Sequence, residues 1–148
     1  PVREITGKDR DQWELLWAAY NAFYGRDGAS ALSGTVVETT WGRLMNADEP
    51  VFGFVFENEA RLLGLAHCVF HRNLIHVANT CYMQDLFTAP EARGKGVGRA
   101  LLAGIRVFCK SRGVDNIYWH TQTHNATARK LYDDVGQNTE FLVYRWAI

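Results

Sequence analysis

The sequence predicts a mixed α/β fold, in which one sheet of parallel and antiparallel strands packs against helices. Its patterns follow one another as helix, helix, strand, strand, strand, helix, strand, helix and strand. In the middle, a strand leads into a glycine-rich loop, a helix and another strand, which is the arrangement of a right-handed parallel crossover. The 148 residues, 47% of them hydrophobic, suit a single domain over residues 1–148 with a sizeable core.

Two helical patterns open the chain. Thr6 and Asp9 have the spacing of a capping box, and aromatic and apolar residues recur behind them at steps of three and four. These residues are Trp13, Leu16, Trp17, Tyr20, Phe23 and Tyr24. Such a stripe is more typical of a helix core than of a substrate cage. A second, weaker helical pattern covers residues 35–45.

Strand patterns dominate the middle of the chain. Two β-rich runs on either side of a short polar turn predict an antiparallel hairpin, and a third strand ends before Pro90. The helix after the glycines is expected to end near Arg112, with Gly113 just beyond it. The predicted elements are strands at 51–57, 61–71, 79–89, 116–121 and 140–148, and helices at 97–112 and 125–135.

Composition excludes several classes of protein. Sixteen basic and sixteen acidic residues give no net charge, which argues against a broad surface for nucleic acid. No apolar run reaches the length of a membrane span, and the N-terminus does not resemble a signal peptide. The three cysteines lack CxxC spacing and suggest reduced, buried thiols. We therefore expect a soluble, cytoplasmic protein.

The histidines do not predict a metal site. His67 and His71, like His120 and His124, are four residues apart on predicted strands. That spacing separates side chains by about 13 Å, too far to share one ion. We expect no metal, and His120 could instead help a proton leave the site.

The segment RGKGVG, residues 93–98, predicts an anion site at a helix N-terminus. Glycines let the backbone approach a ligand, and the first amides of a helix lack partners and carry partial positive charge. Its spacing excludes two familiar phosphate loops. Gly98 is followed by Arg99 rather than by the Lys-Ser/Thr of a P-loop, and a dinucleotide fingerprint that starts at Gly96 would need glycine at Leu101.

Three segments together resemble the GNAT superfamily of acyl-CoA-dependent N-acetyltransferases. RGKGVG is similar to its Q/R-x-x-G-x-G/A motif, YMQDLFTAPEARG to its preceding strand, and NATARKLY to its downstream N-x-x-A-x-x-x-Y segment. The resemblance covers Tyr82 to Tyr132 and is nearest to the small polyamine- and histone-acetylating enzymes and diamine acetyltransferases. It implies a splayed mixed sheet with helices on both faces, acetyl-CoA as co-substrate, and a homodimer.

The resemblance also assigns residues to the cofactor. It implies that backbone amides of Arg93, Gly94, Lys95, Gly96, Val97, Gly98 and Arg99 hold the pyrophosphate, and that Leu86, Phe87 and Thr88 pair with pantetheine. Asn125 is expected to bond pantetheine, Ala128 to leave room for it, and Tyr132 to lie beside the sulfur. Members of the family use their first helices to bind the acceptor, so the resemblance implies acceptor contacts near the loop at 24–28.

The reaction explains why these residue types suit the site. An amine attacks the thioester, an oxyanion forms near a backbone N–H of Leu86 or Phe87, and a thiolate leaves. A thiol of pKa ~8.5 needs only a weak acid, and a tyrosine of pKa ~10 is protonated at neutral pH. Tyr132 lies seven residues from Asn125, so both face one side of the helix. A packed core tyrosine remains the alternative role.

The general base is left open by the sequence. Gln84 stands where diamine acetyltransferases have a Glu, and an amide cannot take the proton. Asp85 is the nearest carboxylate, but regular strand alternation points it away from the face of Gln84. Asp85 is either a structural hydrogen-bond acceptor or a residue that binds the substrate or acts as the base, and the sequence leaves both roles open. Tyr82 shares the face of Gln84 and could orient a water that removes the proton.

Three hypotheses follow. The first is an N-acetyltransferase that acts on a small amine, a polyamine or a protein amine. The second is a non-catalytic acetyl-CoA-binding module, which the missing Glu supports and which Asn125 and Tyr132 argue against. The third is a nucleotide-binding protein of another fold, which the glycine spacing disfavours.

Overall fold

The computed structural model describes all 148 residues and contains one five-stranded sheet in which spatial order follows chain order. The first three pairings are antiparallel and the last is parallel, so the predicted mixed sheet is confirmed. The strands are β1 (Val2–Glu4), β2 (Val51–Asn58), β3 (Arg61–His71), β4 (Thr80–Thr88) and β5 (Ile117–Tyr118). The helices are α1 (Arg10–Phe23), α2 (Gly34–Met45), α3 (Val97–Ser111) and α4 (Ala126–Val135).

Helices cover both faces of the sheet, as expected. On one face α3 packs through Leu101, Ile105 and Cys109, and α4 joins it through Leu131 and Tyr132. On the other face, the side of α1 that carries Trp13 and Trp17 packs on the sheet, with α2 beside it. Each face therefore has its own apolar core, and the sheet backbone is buried between the two.

The crossover helix α3 begins and ends as the sequence predicts. The amide of Ala100 bonds to the carbonyl of Gly96 at its start. At its end Gly113 takes φ +70°, and the Val114 amide bonds to the Cys109 carbonyl at 2.9 Å. This six-residue closure is the one that a glycine just past a helix end permits.

β4 contains a bulge that the sequence pattern did not predict. His67 of β3 pairs with Asp85, but the next residue, Cys68, pairs with Met83, so Gln84 is an extra residue. A bulge resets the alternation of side chains. Alternation is therefore irregular at Gln84, which is exposed, whereas Asp85 is buried against α1.

β4 and β5 separate soon after they pair. Only Cys81 and Tyr82 of β4 pair with Ile117 and Tyr118 of β5. Beyond Tyr82 the edge of β4 that faces β5 has no strand partner. This divergence opens a cleft at the carboxyl end of β4, where open α/β sheets bind ligands.

Two predictions about the ends of the chain were wrong. The short strand β1 was not predicted, because three residues carry too little alternation. The strand predicted at 140–148 does not form: these residues have no regular structure, and no backbone-to-backbone hydrogen bond involves residues 137–148. A strand needs a partner, and within one copy of the chain this segment has none. None of the helices has both the length and the apolarity needed to cross a membrane.

Candidate active site

A cavity of about 630 Å³ lies in the cleft where β4 leaves β5. The glycine loop, β4, α4 and the end of α1 form its wall. Most of the predicted site residues meet there: Leu86, Phe87, Thr88, Arg93, Gly94, Gly96, Val97, Gly98, Arg99, Asn125, Ala128 and Tyr132. Lys95, Asp85 and Tyr82 are not part of the lining.

The glycine loop presents six consecutive backbone amides without acceptors. None of the N–H groups of residues 94–99 donates to any other group of the chain. Gly94 and Gly96 take φ of +75° and +80°, which side chains with a Cβ rarely adopt, and Gly96 immediately precedes α3. The amide of Arg93 differs, because it already points to the Pro90 carbonyl at 3.4 Å. Free donors at a helix N-terminus are an arrangement that favours an anion, and here they run from Gly94 to Arg99.

Charged side chains around this loop are partly committed to other partners. The Arg93 guanidinium lies over the rings of Phe23 and Phe87 and its Nε donates to the Thr88 carbonyl. Arg99 pairs with Asp134 at 2.7 Å on the surface. The backbone, rather than the side chains, therefore supplies most of the free donors in the cleft.

Asn125 and Tyr132 mark the opposite wall. The Asn125 carboxamide and the Tyr132 hydroxyl form no hydrogen bond within the chain. The Tyr132 ring packs beside Trp119, with ring centroids 5.4 Å apart. Burial, with a smaller effect of Tyr24, raises the pKa of Tyr132 to about 12. Its phenol is therefore protonated at neutral pH and can donate a proton or a hydrogen bond into the cavity.

Asp85 belongs to a buried network behind the cavity. Its carboxylate is 2.7 Å from His67 Nδ1 and accepts a hydrogen bond from Trp17 Nε1. Trp13 Nε1 lies 2.9 Å from His67 Nε2. An indole N–H can only donate, so His67 Nε2 is the acceptor and the His67 proton is on Nδ1. His67 is therefore neutral and donates to an ionised Asp85.

Tyr20 connects this network to the cavity. Burial tends to raise the pKa of Asp85, but hydrogen bonds from His67, Tyr20 and Trp17 outweigh it and leave that pKa below its ordinary value. Burial, and then the charge and hydrogen bond of Asp85, raise the pKa of Tyr20. Because an ionised carboxylate only accepts, the Tyr20 hydroxyl would be the donor in any hydrogen bond with Asp85. The remaining lone pairs of Tyr20 are then available on the cavity side, since Tyr20 is part of the lining.

The sequence missed Tyr20 and His67 as site residues. The aromatic stripe was interpreted as helix core, which is confirmed for Trp13 and Trp17, but Tyr20, Phe23 and Tyr24 also line the cavity. The signal was the position of Tyr20, three residues after Trp17 on the same face of α1. His67 could not be recognised, because only the sheet register places it opposite Asp85.

Tyr82 and the other histidines lie apart from the cavity. The Tyr82 ring stacks on Tyr118, and its hydroxyl is 3.3 Å from His120 Nδ1. Burial, followed by Tyr118 and Asp85, raises the pKa of Tyr82. His71 bonds to the Tyr118 hydroxyl at 2.8 Å. No three side chains of the His, Cys, Asp or Glu type gather into a possible metal site.

Comparison with known proteins decides the family of this site. Residues 10–136 match the model of the Acetyltransferase (GNAT) family. The chain belongs to the GNAT family. It is 31% identical over 146 residues to a D-amino-acid N-acetyltransferase, HPA3 of Saccharomyces cerevisiae, covering 97% of this chain and 88% of that protein. It is 26% identical to YhfO, an uncharacterized N-acetyltransferase of Bacillus subtilis, covering 97% and 94% of the two chains.

Solved structures show the same GNAT fold. AAC(6')-Iy, in complex with a CoA-based bisubstrate analogue, superposes with a TM-score of 0.83 over 100% of this chain and 97% of that chain, at 14% identity. A probable acetyltransferase gives a TM-score of 0.83 at 21% identity, with the same coverage. This GNAT chain is an acetyl-CoA-dependent N-acetyltransferase, which transfers an acetyl group to an amine.

Proposed function

We propose that this enzyme transfers the acetyl group of acetyl-CoA directly to the primary amine of a small acceptor. One observation carries the proposal: the loop with the free amides, an unpaired strand edge, Asn125 and Tyr132 surround the same cavity. These groups suit the pyrophosphate, the amide-bearing arm and the thioester of one extended ligand.

The residues fit acetyl-CoA by their hydrogen-bonding chemistry. Amides of residues 94–99 would hold the pyrophosphate as a helix N-terminus holds an anion. The edge of β4 at Leu86, Phe87 and Thr88 would accept pantetheine as an added strand. Asn125 has a free carboxamide for the same arm. Acetyl-CoA supplies the activated acyl group, and these residues supply its placement.

Two groups serve the transition state in this proposal. A backbone N–H of Leu86 or Phe87 on the unpaired edge would stabilise the oxyanion. Tyr132 would protonate the departing thiolate; its raised pKa of about 12 keeps it in the acid form that this requires. The hydroxyl has no competing partner in the chain, which leaves it free for this role.

Tyr20 and Asp85 would position the acceptor amine. The Tyr20 oxygen would accept a hydrogen bond from the amine while its own proton is directed towards Asp85. The buried negative charge behind it favours a cationic amine. Asp85 itself is a poor base, because it is 6% exposed, is held ionised by donors and does not reach the cavity. We propose that the amine loses its proton to water.

The acceptor is proposed as a small amine, with polyamines, amino acids and protein amines as the classes to compare. The D-amino-acid activity of HPA3 supports including free amino acids. Tyr20, Phe23 and Tyr24 form the wall nearest the acceptor side, close to the loop at 24–28 where acceptor contacts were expected. We further propose a homodimer, and a reducing compartment such as the cytoplasm, since Cys68, Cys81 and Cys109 are buried free thiols.

A non-catalytic acetyl-CoA-binding module is the second candidate. It is favoured by Gln84, which replaces a potential base and occupies the β4 bulge. The free hydroxyl of Tyr132 argues against it, because binding alone needs no acid beside the thioester.

Release of free CoA thiol from acetyl-CoA tests the proposal across a panel of polyamines, D- and L-amino acids, aminoglycosides and peptides. We expect acceptor-dependent release with at least one class of primary amine, and none without an acceptor. Measured binding of acetyl-CoA with no release across the whole panel would favour the binding module. Absence of binding would contradict the cofactor assignment as well.

A further inference from the structure

Both ring nitrogens of His67 are bonded to other buried side chains. Nε2 lies 2.9 Å from Trp13 Nε1, and Nδ1 lies 2.7 Å from a carboxylate oxygen of Asp85. Trp13, His67 and Asp85 are 0%, 5% and 6% exposed, so water has little access to either contact. The protonation of His67 is therefore decided by its two protein partners rather than by solvent.

The Trp13 indole leaves no room for a second proton on His67. An indole N–H can only donate, so Nε2 has to keep its lone pair while this hydrogen bond exists. A proton on Nε2 would set two N–H groups against each other across 2.9 Å. Charging His67 would therefore break the bond to Trp13 and leave a buried donor without an acceptor, which is costly.

Aromatic packing holds the Trp13 indole in this direction. Its ring stacks on Trp17 with centroids 5.2 Å apart, and its centroid lies 4.9 Å from that of Trp41 on α2. The guanidinium of Arg10 covers the rings of Trp13 and Trp41 and pairs with Glu38 of α2. The indole cannot turn away from His67 without disturbing the contact between α1 and α2.

His67 is the one basic residue at the carboxylate of Asp85. No nitrogen of a lysine or arginine lies within 4.0 Å of it, and His67 pairs across β2 with Gly53, which has no side chain. The titratable and charged groups around this network are Asp85 and Tyr82 of β4, Arg10, Glu14 and Tyr20 of α1, Glu38 of α2, and Arg26 just beyond α1. At contact distance, therefore, only His67 can cancel the charge of Asp85.

We propose that Trp13 is a positioning residue that keeps His67 neutral and so preserves the negative charge of Asp85 behind the acceptor side of the cavity. This inference rests on the proposed function, in which that charge favours a cationic amine beside Tyr20. A doubly protonated His67 would cancel the charge, and the amine would bind more weakly. Imidazole in general becomes charged below pH ~6.5, so the bond from Trp13 preserves the preference for a cation in mildly acidic solution. Trp13 does this from outside the lining of the cavity.

Nitrogen-15 NMR of the histidine-labelled enzyme, without any ligand, tests the protonation directly. From about pH 5.5 to about pH 8, native His67 should carry a proton on Nδ1 and a lone pair on Nε2; His67→Asn assigns its signals. In Trp13→Phe the Nε2 atom loses its donor, so His67 should become doubly protonated as the pH falls. Trp41→Phe is the matched control, because Trp41 belongs to the same aromatic cluster but forms no hydrogen bond with His67.

The spectra decide the inference without reference to activity. If native His67 takes up a second proton in this range, or if His67 of a folded Trp13→Phe variant does not, the inference is overturned. The same holds if Trp41→Phe changes the protonation as Trp13→Phe does. Circular dichroism verifies that the variants are folded, and the native spectra remain decisive if Trp13→Phe does not fold.

Kinetics test the consequence for the acceptor, with the amine of the panel that gives the fastest release of CoA thiol. We expect the ratio of kcat/KM for this amine, Trp13→Phe over native, to fall about tenfold from pH 8 to pH 5.5, the value of one charge-assisted hydrogen bond. Taking the ratio removes the titration of the amine itself. The change should lie in the KM for the amine, while the KM for acetyl-CoA and the ratio for Trp41→Phe stay constant.

A double variant identifies the group that titrates. Trp13→Phe with His67→Asn retains a neutral donor for Asp85 but no imidazole, so the loss in acid should disappear. A loss that persists in the double variant, or a pH-independent ratio for Trp13→Phe, would overturn the role of Trp13. If no amine of the panel releases CoA thiol, the proposed function fails together with this role in acceptor binding, while the NMR spectra still decide whether Trp13 keeps His67 neutral.

Discussion

At the scale of single residues, Tyr132 combines burial with a hydroxyl that has no partner. Replacing it with Phe removes one oxygen and almost no volume, so the packing on Trp119 should hold. If the hydroxyl protonates the leaving thiolate, turnover should fall about ten- to a hundredfold while the Michaelis constant for acetyl-CoA changes little. The loss should shrink with an acyl donor whose thiol is more acidic. Steady-state kinetics with two donors measure both effects.

The control for this variant is Tyr118→Phe, which removes a phenol that bonds to His71 outside the cavity. It should keep most of the activity. If Tyr132→Phe loses the same turnover with both acyl donors, or loses none, Tyr132 serves only in packing.

Asp85 should affect the binding of the amine rather than the binding of acetyl-CoA. In Asp85→Asn the charge behind Tyr20 disappears, so the Michaelis constant for the amine should rise about tenfold, the value of one charge-assisted hydrogen bond. Turnover should fall less than tenfold and the affinity for acetyl-CoA should hold. Tyr20→Phe should show the same pattern. A turnover loss of several hundredfold in Asp85→Asn, with normal acetyl-CoA binding, would instead identify Asp85 as the base.

The same carboxylate makes stability depend on pH with a definite sign. Because folding lowers the pKa of Asp85, its contribution to the free energy of unfolding is complete above the ordinary carboxyl pKa and is lost as the pH falls through the lower, folded value. The difference in unfolding free energy between the native enzyme and Asp85→Asn should therefore be largest at neutral pH and decrease in acid. Urea unfolding at several pH values tests this, and a difference that grows in acid would contradict it.

At the scale of elements, the glycine loop should be sensitive to any Cβ. Gly96 has φ +80°, and a Cβ on Gly98 would lie 3.3 Å from Leu131 Cδ2 in the wall of the cavity. Gly96→Val and Gly98→Val should therefore abolish acetyl-CoA binding in calorimetry while the fold survives. Gly42→Val is the control, since Gly42 lies on α2 with open space around it. If a folded Gly98→Val variant binds acetyl-CoA with native affinity, the loop serves only as a structural turn.

The sequence predicts elements well where their signal is local. Helix periodicity, the glycines before α3 and Gly113 after it depend on neighbouring residues, and these predictions agree with the structure. The bulge at Gln84 and the His67–Asp85 contact depend on the pairing of β3 with β4, which no local pattern records. The strand predicted at residues 140–148 fails for a different reason: its composition favours a strand, but the segment pairs with no strand of the sheet.

At the scale of the whole molecule, the cleft exists because a parallel strand is joined to an antiparallel sheet through α3. The crossover places the amides at the start of α3 beside the carboxyl end of β4, and the early divergence of β5 leaves that edge unpaired. Loop, strand edge and α4 therefore surround one cavity, although they are separated in the chain. A ligand that reaches all three should connect them and stabilise the folded state as a whole.

Acetyl-CoA should accordingly raise the melting temperature more than adenosine does. At a hundredfold excess over the dissociation constant, binding to the folded state alone adds about 2.7 kcal/mol, or roughly 5–10 °C for a domain of this size. Adenosine lacks the pyrophosphate for the amides of residues 94–99 and the arm for the β4 edge, so its shift should be small. Gly98→Val should lose the acetyl-CoA shift, and Gly42→Val should keep it. If adenosine shifts the melting temperature equally, the loop and the strand edge do not contribute to the affinity for acetyl-CoA. If millimolar acetyl-CoA causes no shift, the cofactor site itself is contradicted.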